Sequence, residues 1–201
     1  MIDKPGSRRL FVAVPLPERA RATVADLVEV VRASEPERSH VRWVRMDGLH
    51  LTIRFLGPTP SDRVPGIGAA LATIAAATSS FDVVLAGGGA FPSAARPRVL
   101  WLAVGTGSAD LIALAGDVAR AMVPLGWPPD ERPYQPHLTL ARADGVAAGP
   151  STAARLASAA ADLAVPFRAA EIVLMESHTG RGAARYESLL TAPLAGEPSG
   201  P

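Results

Sequence analysis

The stretch Leu49-His50-Leu51-Thr52-Ile53-Arg54-Phe55 alternates apolar and polar side chains without exception. Successive side chains of a β-strand point to opposite faces of the sheet. We therefore predict a strand that turns its apolar residues to the core and His50, Thr52 and Arg54 to the other face. Gly57-Pro58 follows closely and is expected to end this strand.

A second stretch, Pro136-His137-Leu138-Thr139-Leu140-Ala141-Arg142, repeats this pattern later in the chain. Its leucines are expected in the core, and His137 and Thr139 on the opposite face. Arg142 falls on the core side by strict alternation, so it can reach the face of His137 only through a strand end or a bulge. Each copy thus presents one imidazole and one hydroxyl on the open face of a strand.

The residues around the two copies predict further strands and helices. Short apolar runs predict strands at 9–15, 41–44, 81–85, 99–104, 167–176 and 186–191. Helical spacing of apolar residues predicts helices at 17–33, 61–77, 108–125 and 151–164, with Ser61 as a possible N-cap. Segments rich in glycine and proline predict loops at 87–97 and 126–136, and Gly87–Gly89 a turn.

This order of elements predicts an α+β fold of two pseudo-symmetric lobes. Each lobe is expected to be a mostly antiparallel sheet covered by helices, with a central cleft between the lobes. We expect a single bilobal domain over 1–193 and a flexible tail over 194–201.

Composition excludes several classes of function. The 201 residues include 20 basic and 19 acidic ones, a formal net charge of +1, which argues against a protein that grips many phosphates of a duplex. The chain has no cysteine, which excludes disulfides, thiolate metal sites and a cysteine nucleophile. No signal peptide and no apolar run of about 20 residues is apparent, so we expect a cytoplasmic protein that does not contact membranes.

Two imidazoles suit the in-line hydrolysis of a phosphodiester. One can deprotonate the attacking water while the other protonates the departing oxygen, because an unperturbed imidazole has a pKa of about 6.5. Each threonine can donate a hydrogen bond to a phosphate oxygen as charge develops there. The sequence lacks a nucleotide P-loop, a helical histidine pair, a carboxylate cluster and a serine elbow. We therefore expect neither a metal nor a cofactor.

The two motifs and their surroundings resemble the 2H phosphoesterase superfamily, and within it the LigT-like RNA 2′,3′-cyclic phosphodiesterases, also called 2′–5′ RNA ligases. The resemblance extends over residues 9–14, 44–57, 91–92, 96–101, 136–142 and 180–186. It implies that His50 donates a proton to the leaving 3′ oxygen and that His137 activates water, which leaves a 2′-phosphate. It also implies that Thr52 and Thr139 hold the phosphate oxygens and that the reverse reaction can join RNA ends. The residues alone do not distinguish donor from acceptor.

Five further residues are candidates for substrate binding, four of them with a plainer alternative. They are Arg142 (or a surface salt bridge), Arg54 (or the rim of the site), Phe11 (or core packing), Tyr186 (or a structural role), and Arg98, which could contact a phosphate or the 5′ side of the substrate. Trp101 is expected in the core.

Substrate class and partners remain open at this level. The first hypothesis is hydrolysis of RNA 3′ ends that bear a 2′,3′-cyclic phosphate, including tRNA fragments or small cyclic nucleotides, by a monomer. The alternatives are a related enzyme acting on ADP-ribose cyclic phosphate or 2′–5′ oligoadenylate, and a non-catalytic module that binds RNA ends.

Overall fold

The computed structural model describes residues 7–33, 41–143, 149–178 and 183–196. Nine strands are formed: β1 Ser7–Pro15, β2 Val41–Trp43, β3 His50–Pro60, β4 Phe81–Phe91, β5 Val99–Val104, β6 His137–Ala143, β7 Val165–Ala169, β8 Glu171–His178 and β9 Arg185–Pro193. The four helices are α1 Glu18–Arg32, α2 Val64–Ala77, α3 Ser108–Met122 and α4 Gly149–Ala159. Two short 3₁₀ turns, Met46–Gly48 and Ser61–Arg63, precede β3 and α2.

The strands form one antiparallel sheet in the order β7-β4-β5-β6-β3-β1-β8-β9, and β2 pairs with β6. The two halves of this sheet, β7-β4-β5-β6 and β3-β1-β8-β9, meet where β3 lies beside β6. Among the described residues, β3 and β6 are paired at one position, Leu51 with Leu138. This arrangement confirms the predicted α+β fold with a mostly antiparallel sheet in each lobe.

Helices cover the apolar side of both halves. Helices α1 and α4 pack on each other and on β7 and β4, while α2 and α3 pack on each other and on β8, β9 and β3. Each of α1 and α3 follows a strand of one half but packs on the other half, which ties the two lobes together. The apolar residues whose helical spacing predicted α1 are buried, at Ala20, Val24, Leu27, Val28 and Val31.

Two strands extend beyond their predicted ends. Strand β3 continues past Gly57, which adopts a positive φ of 71°, to Pro60. Strand β4 runs through the glycines at 87–89, where we expected a turn, to Phe91. Gly89 is required there because a Cβ at that position would lie 2.2 Å from Cη2 of Trp101 on the neighbouring strand. Gly89 therefore allows close packing between β4 and β5.

The predicted strand at 167–176 is wrong as a single element. It divides at Ala170 into β7, which pairs with β4, and β8, which pairs with β1, so the chain crosses from one half of the sheet to the other. Ser61 is not the N-cap of α2, because that helix begins after Arg63 and has no side-chain cap. The helix boundaries otherwise differ from the prediction by a few residues at their ends.

The first two residues of the predicted flexible tail, Leu194 and Ala195, make contacts with the rest of the fold. Leu194 is buried and donates its backbone N–H to Ala170, and Ala195 bonds to Ala75 and Thr78. Residues 197–201 lie outside the described residues. Among the helices that the structure describes, none has the length and apolar character needed to cross a membrane.

Candidate active site

The two His-x-Thr motifs meet at the junction between the halves of the sheet. Leu51 and Leu138 are paired and fully buried. One residue further in each direction, the antiparallel register places His50 opposite Thr139 and Thr52 opposite His137. All four side chains lie on the face away from the core, which we call the histidine face. Diagonal neighbours on paired antiparallel strands are typically about 7–8 Å apart, a spacing that leaves room for a phosphate group between their side chains.

The two imidazoles are held in the same way. Nδ1 of His50 lies 2.7 Å from the carbonyl oxygen of Gly48, and Nδ1 of His137 lies 2.7 Å from that of Gln135. A carbonyl oxygen only accepts hydrogen bonds, so in both rings Nδ1 carries a proton and donates it. Nε2 is therefore the nitrogen left to exchange protons with a substrate.

Aromatic rings enclose His50. Its ring centroid is 4.8 Å from that of Phe11 and 4.9 Å from that of Tyr186, which meets it edge-on. Tyr186 reaches this position because residue 48 is glycine: a Cβ there would lie 2.9 Å from Cδ2 of the tyrosine. These contacts fix the plane of the His50 ring.

His137 has a corresponding but different aromatic environment. Phe91 meets its ring edge-on at 5.0 Å, and Trp101 lies 6.4 Å away, with Phe91 and Trp101 themselves in contact. Trp101 pairs with Thr139 and therefore lies on the histidine face, so the prediction that it belongs to the core is wrong.

Burial lowers the pKa of both histidines below the usual 6.5. The bond to Gly48 partly opposes this effect on the pKa of His50. The bond to Gln135 does the same for the pKa of His137, which the positive charge of Arg142 lowers further. Both rings are consequently neutral at pH 7 in the unliganded protein, and a bound anion would favour the charged form of either ring.

A bulge in β6 brings Arg142 to the histidine face. The pairing of β5 with β6 passes from Leu100–Ala141 to Trp101–Thr139 and leaves Leu140 without a partner. Leu140 and Ala141 are both buried as a result, and Arg142 emerges exposed on the other side. The bulge that the sequence required for Arg142 is therefore present, at the third residue after His137.

Strand β3 has the equivalent bulge, at the third residue after His50. The pairing with β1 passes from Val12–Arg54 to Ala13–Thr52 and leaves Ile53 without a partner. Arg54 is thereby turned inward, and the next residue, Phe55, is turned outward, with 59% of its surface exposed. Strict alternation failed here because one extra residue in a strand reverses the faces of every residue that follows.

The prediction that Arg54 shares the face of His50 is therefore wrong. Arg54 is 4% exposed, and its Nη2 donates to the carbonyl oxygen of Pro128. Its Nη1 lies 3.6 Å from a carboxylate oxygen of Asp130. The guanidinium thus holds the segment between α3 and β6 and does not enter the candidate site.

Of the other predicted substrate-binding residues, Tyr186 and Phe11 lie at the site and Arg98 lies outside it. Tyr186 and Phe11 lie beside His50, but Phe11 is 1% exposed and serves as a floor beneath the site. Arg98 precedes β5, where its carbonyl accepts a bond from Ala143 and its side chain is exposed. No contact of the Arg98 side chain with either histidine is seen in the described part of the chain.

Phe55 was not identified from the sequence as a site residue. The available signal was its position five residues after His50, since Arg142 likewise lies five residues after His137.

Among the described residues, Glu176, His178 and Glu187 form a cluster whose ligand atoms lie within 4.8 Å of one another. Glu176 is 2.7 Å from Nη1 of Arg8, and Glu187 is 3.2 Å from Nε2 of His178. Glu176 pairs with Leu10 and Glu187, whereas the next residue of β8, Ser177, pairs with Tyr186. Successive residues of a strand point to opposite faces, so Glu176 lies on the face away from Tyr186. A metal ion held there could not contact a phosphate between His50 and His137.

Comparisons with known proteins identify the family of this chain. The model of the 2′-5′ RNA ligase superfamily matches residues 16–181. An RNA 2′,3′-cyclic phosphodiesterase of Geobacillus stearothermophilus is 34% identical over 191 residues, a match that covers 94% of this chain and 58% of that protein. The chain thus spans less than two thirds of that relative.

Solved structures extend the similarity over nearly the whole fold. A crystal structure from Thermus thermophilus matches with a TM-score of 0.74 and 28% identity, covering 94% of this chain and 99% of that one. A crystal structure of Escherichia coli LigT complexed with 3′-AMP matches with a TM-score of 0.73 and 26% identity, covering 94% and 98%.

Proposed function

The chain belongs to the 2′-5′ RNA ligase superfamily, and on that basis we propose that it is an RNA 2′,3′-cyclic phosphodiesterase that uses His50 and His137 as its acid and base. The observation that carries the proposal is the matched placement of the two rings. Both lie on one face of the sheet at the junction of its halves, and both have Nδ1 occupied by a backbone carbonyl. The Geobacillus relative bears this activity in its name.

The reaction opens the cyclic phosphate in one displacement. Nε2 of His137 takes a proton from water as the water oxygen bonds to phosphorus. The bond between phosphorus and the 3′ oxygen breaks, and Nε2 of His50 gives its proton to that oxygen. The product is a 2′-phosphate with a free 3′-hydroxyl. The same step joins RNA ends when a 5′-hydroxyl takes the place of water: His137 takes its proton, the 5′ oxygen bonds to phosphorus, the bond to the 3′ oxygen breaks with a proton from His50, and a 2′–5′ linkage remains.

The protonation states that this reaction needs follow from the surroundings of the rings. His137 is neutral because burial and the nearby Arg142 lower its pKa, as a base requires. Burial also lowers the pKa of His50, so the free protein holds little of its charged form. The anionic phosphate of the substrate stabilises the protonated, charged form of His50, so that His50 can act as the acid.

Thr52, Thr139 and Arg142 support the charge that develops on the phosphate. The hydroxyls share the half-buried face of the histidines and can donate to the non-bridging oxygens. The guanidinium of Arg142 influences both His137 and Tyr186 electrostatically, so it lies within reach of both halves of the site. These groups provide positive charge and hydrogen bonds at the phosphate, and the proposed reaction needs no metal ion.

Phe55 provides a surface for the nucleobase. Its ring is exposed on the histidine face and packs on Phe11, 5.8 Å away between centroids, which in turn contacts His50. Stacking of a base on an exposed aromatic ring contributes about 1–3 kcal/mol to binding. The base of the terminal nucleotide is thereby placed in the half that contains His50.

The proposal is tested with an RNA oligonucleotide that ends in a 2′,3′-cyclic phosphate, incubated with the protein in the presence of EDTA. We expect conversion to a 2′-phosphate end by the wild type and not by His50→Asn or His137→Asn. Asparagine keeps a donor for the backbone carbonyl, so the fold is retained. A 3′-phosphate product, a requirement for metal, or turnover of ADP-ribose cyclic phosphate or 2′–5′ oligoadenylate in place of the RNA end would overturn the assignment.

A further inference from the structure

Arg42 and Arg142 lie directly opposite each other on β2 and β6. The neighbouring pairs are Val41–Ala143 and Trp43–Ala141. Ala141 and Ala143 are buried on the core side, so the two arginines between them project from the histidine face. Both arginines are exposed. The face that carries His137 and Thr139 therefore continues, across one more strand, into a second guanidinium.

This pairing concentrates positive charge beside the phosphate site. Guanidinium groups on directly opposite residues lie close enough for both to attract one phosphate placed near them. The charge of Arg142 already reaches His137 and Tyr186. Arg42 extends the same positive potential outward by one strand spacing, about 4.8 Å.

From this pair we propose that Arg42 binds the phosphodiester one nucleotide upstream of the cyclic end. An RNA strand is therefore a better substrate than a free cyclic nucleotide. The inference rests on the proposed function. A cyclic mononucleotide has one phosphate, which the histidines and Arg142 hold. A strand brings a second phosphate, and Arg42 is the cation placed next to the first site on the same face. Arg142 then contributes to both phosphates, and Arg42 to the upstream one.

The test compares two substrates with the same terminal nucleotide: adenosine 2′,3′-cyclic phosphate, and a trinucleotide ending in that group. We expect Arg42→Gln to lower kcat/KM for the trinucleotide about tenfold, as the loss of one charged hydrogen bond would. The mononucleotide should change by less than about twofold. The slope of log kcat/KM against log salt should become shallower by about 0.7 for the trinucleotide, the value for one phosphate contact on a single strand.

Two further variants serve as controls. Arg19→Gln removes the same charge from the exposed side of α1, away from the histidine face, and should leave both substrates unaffected. Arg42→Lys keeps the charge and should retain most of the trinucleotide rate. Mononucleotide turnover reports whether each variant is folded.

Equal losses on both substrates, no loss on either, or the same loss in Arg19→Gln would overturn the role of Arg42. A separate binding measurement keeps the inference independent of turnover. The dissociation constant of the trinucleotide with a 2′-phosphate end should rise about tenfold in Arg42→Gln, and that of 2′-AMP should not. If the wild type hydrolyses neither cyclic substrate, the proposed function fails. The binding comparison then decides the role of Arg42 by itself.

Discussion

Phe55 and Arg142 occupy equivalent positions in the two halves of the protein, each five residues after a histidine and each turned outward by a bulge two residues before it. One position carries an exposed aromatic ring and the other an exposed cation. The two halves are therefore alike in their pairs of histidine and threonine and unlike in the side chain that is exposed five residues after each histidine. This difference gives a nearly symmetric site a direction along which a nucleotide can bind.

Replacement of Phe55 by alanine should weaken binding of the terminal nucleotide. We expect kcat/KM to fall roughly tenfold or more, because base stacking on an aromatic ring contributes about 1–3 kcal/mol. Steady-state kinetics with a cyclic nucleotide and with an abasic ribose cyclic phosphate measure the effect. The abasic compound has nothing to stack and should react equally with both proteins. Phe55→Tyr should behave as the wild type, and an equal loss on both compounds would contradict a stacking role.

The pH dependence of kcat/KM should be bell-shaped with its maximum below about pH 6.5. The reaction needs neutral His137 and charged His50 in the free enzyme, and burial lowers the pKa of both below 6.5. The rate falls at low pH as His137 gains a proton and at high pH as His50 loses one. A maximum above pH 7, with chemistry rate-limiting, would contradict these protonation states.

Arg142→Gln tests one limb of that profile. Because the charge of Arg142 lowers the pKa of His137, its removal should raise this pKa and move the acid limb to higher pH. The alkaline limb should stay in place, because burial and Gly48 account for the pKa of His50. Arg142→Lys keeps the charge and should keep the acid limb of the wild type.

The sequence was sufficient to predict both His-x-Thr strands and the antiparallel bilobal fold, because alternation and helical spacing are local patterns. It was not sufficient to place Arg54 and Phe55. A bulge depends on the pairing of two distant strands, here β1 and β3, and nothing within Leu49–Phe55 alone indicates it. The available signal was the equal spacing of Phe55 and Arg142 from the two histidines. The same limit explains the division of the strand predicted at 167–176, where the pairing partners change at Ala170.

Gly48→Ala should impair catalysis through Tyr186. The new methyl group would lie 2.9 Å from the tyrosine ring, so the ring must shift and release its edge-on contact with His50. We expect kcat to fall by roughly tenfold, since a displacement of about 1 Å can cost up to about 10²-fold. Gly66→Ala in α2 is the matched control, because its methyl group would meet Leu125 at an ordinary 3.6 Å. Equal activity of the two variants would show that the contact with Tyr186 does not position His50.

A change of leaving group should separate the roles of the two histidines. With sulfur in place of the 3′ oxygen, the departing thiolate needs no acid. His50→Asn should then lose little activity on the sulfur substrate, although it loses at least about 10²-fold on the oxygen one. His137→Asn should lose activity on both. Rescue of His137→Asn instead would reverse the assignment of acid and base.

The most direct measurement is kcat/KM of the wild type, His50→Asn, His137→Asn and the double variant on one RNA 2′,3′-cyclic phosphate in EDTA. Two imidazoles that act on one phosphorus atom form a catalytic unit, and losses within a unit are strongly non-additive. We expect each single variant to lose at least about 10²-fold and the double variant to lose little more than the worse single one. A double variant whose loss equals the product of the two single losses, or single variants that retain activity, would contradict the account.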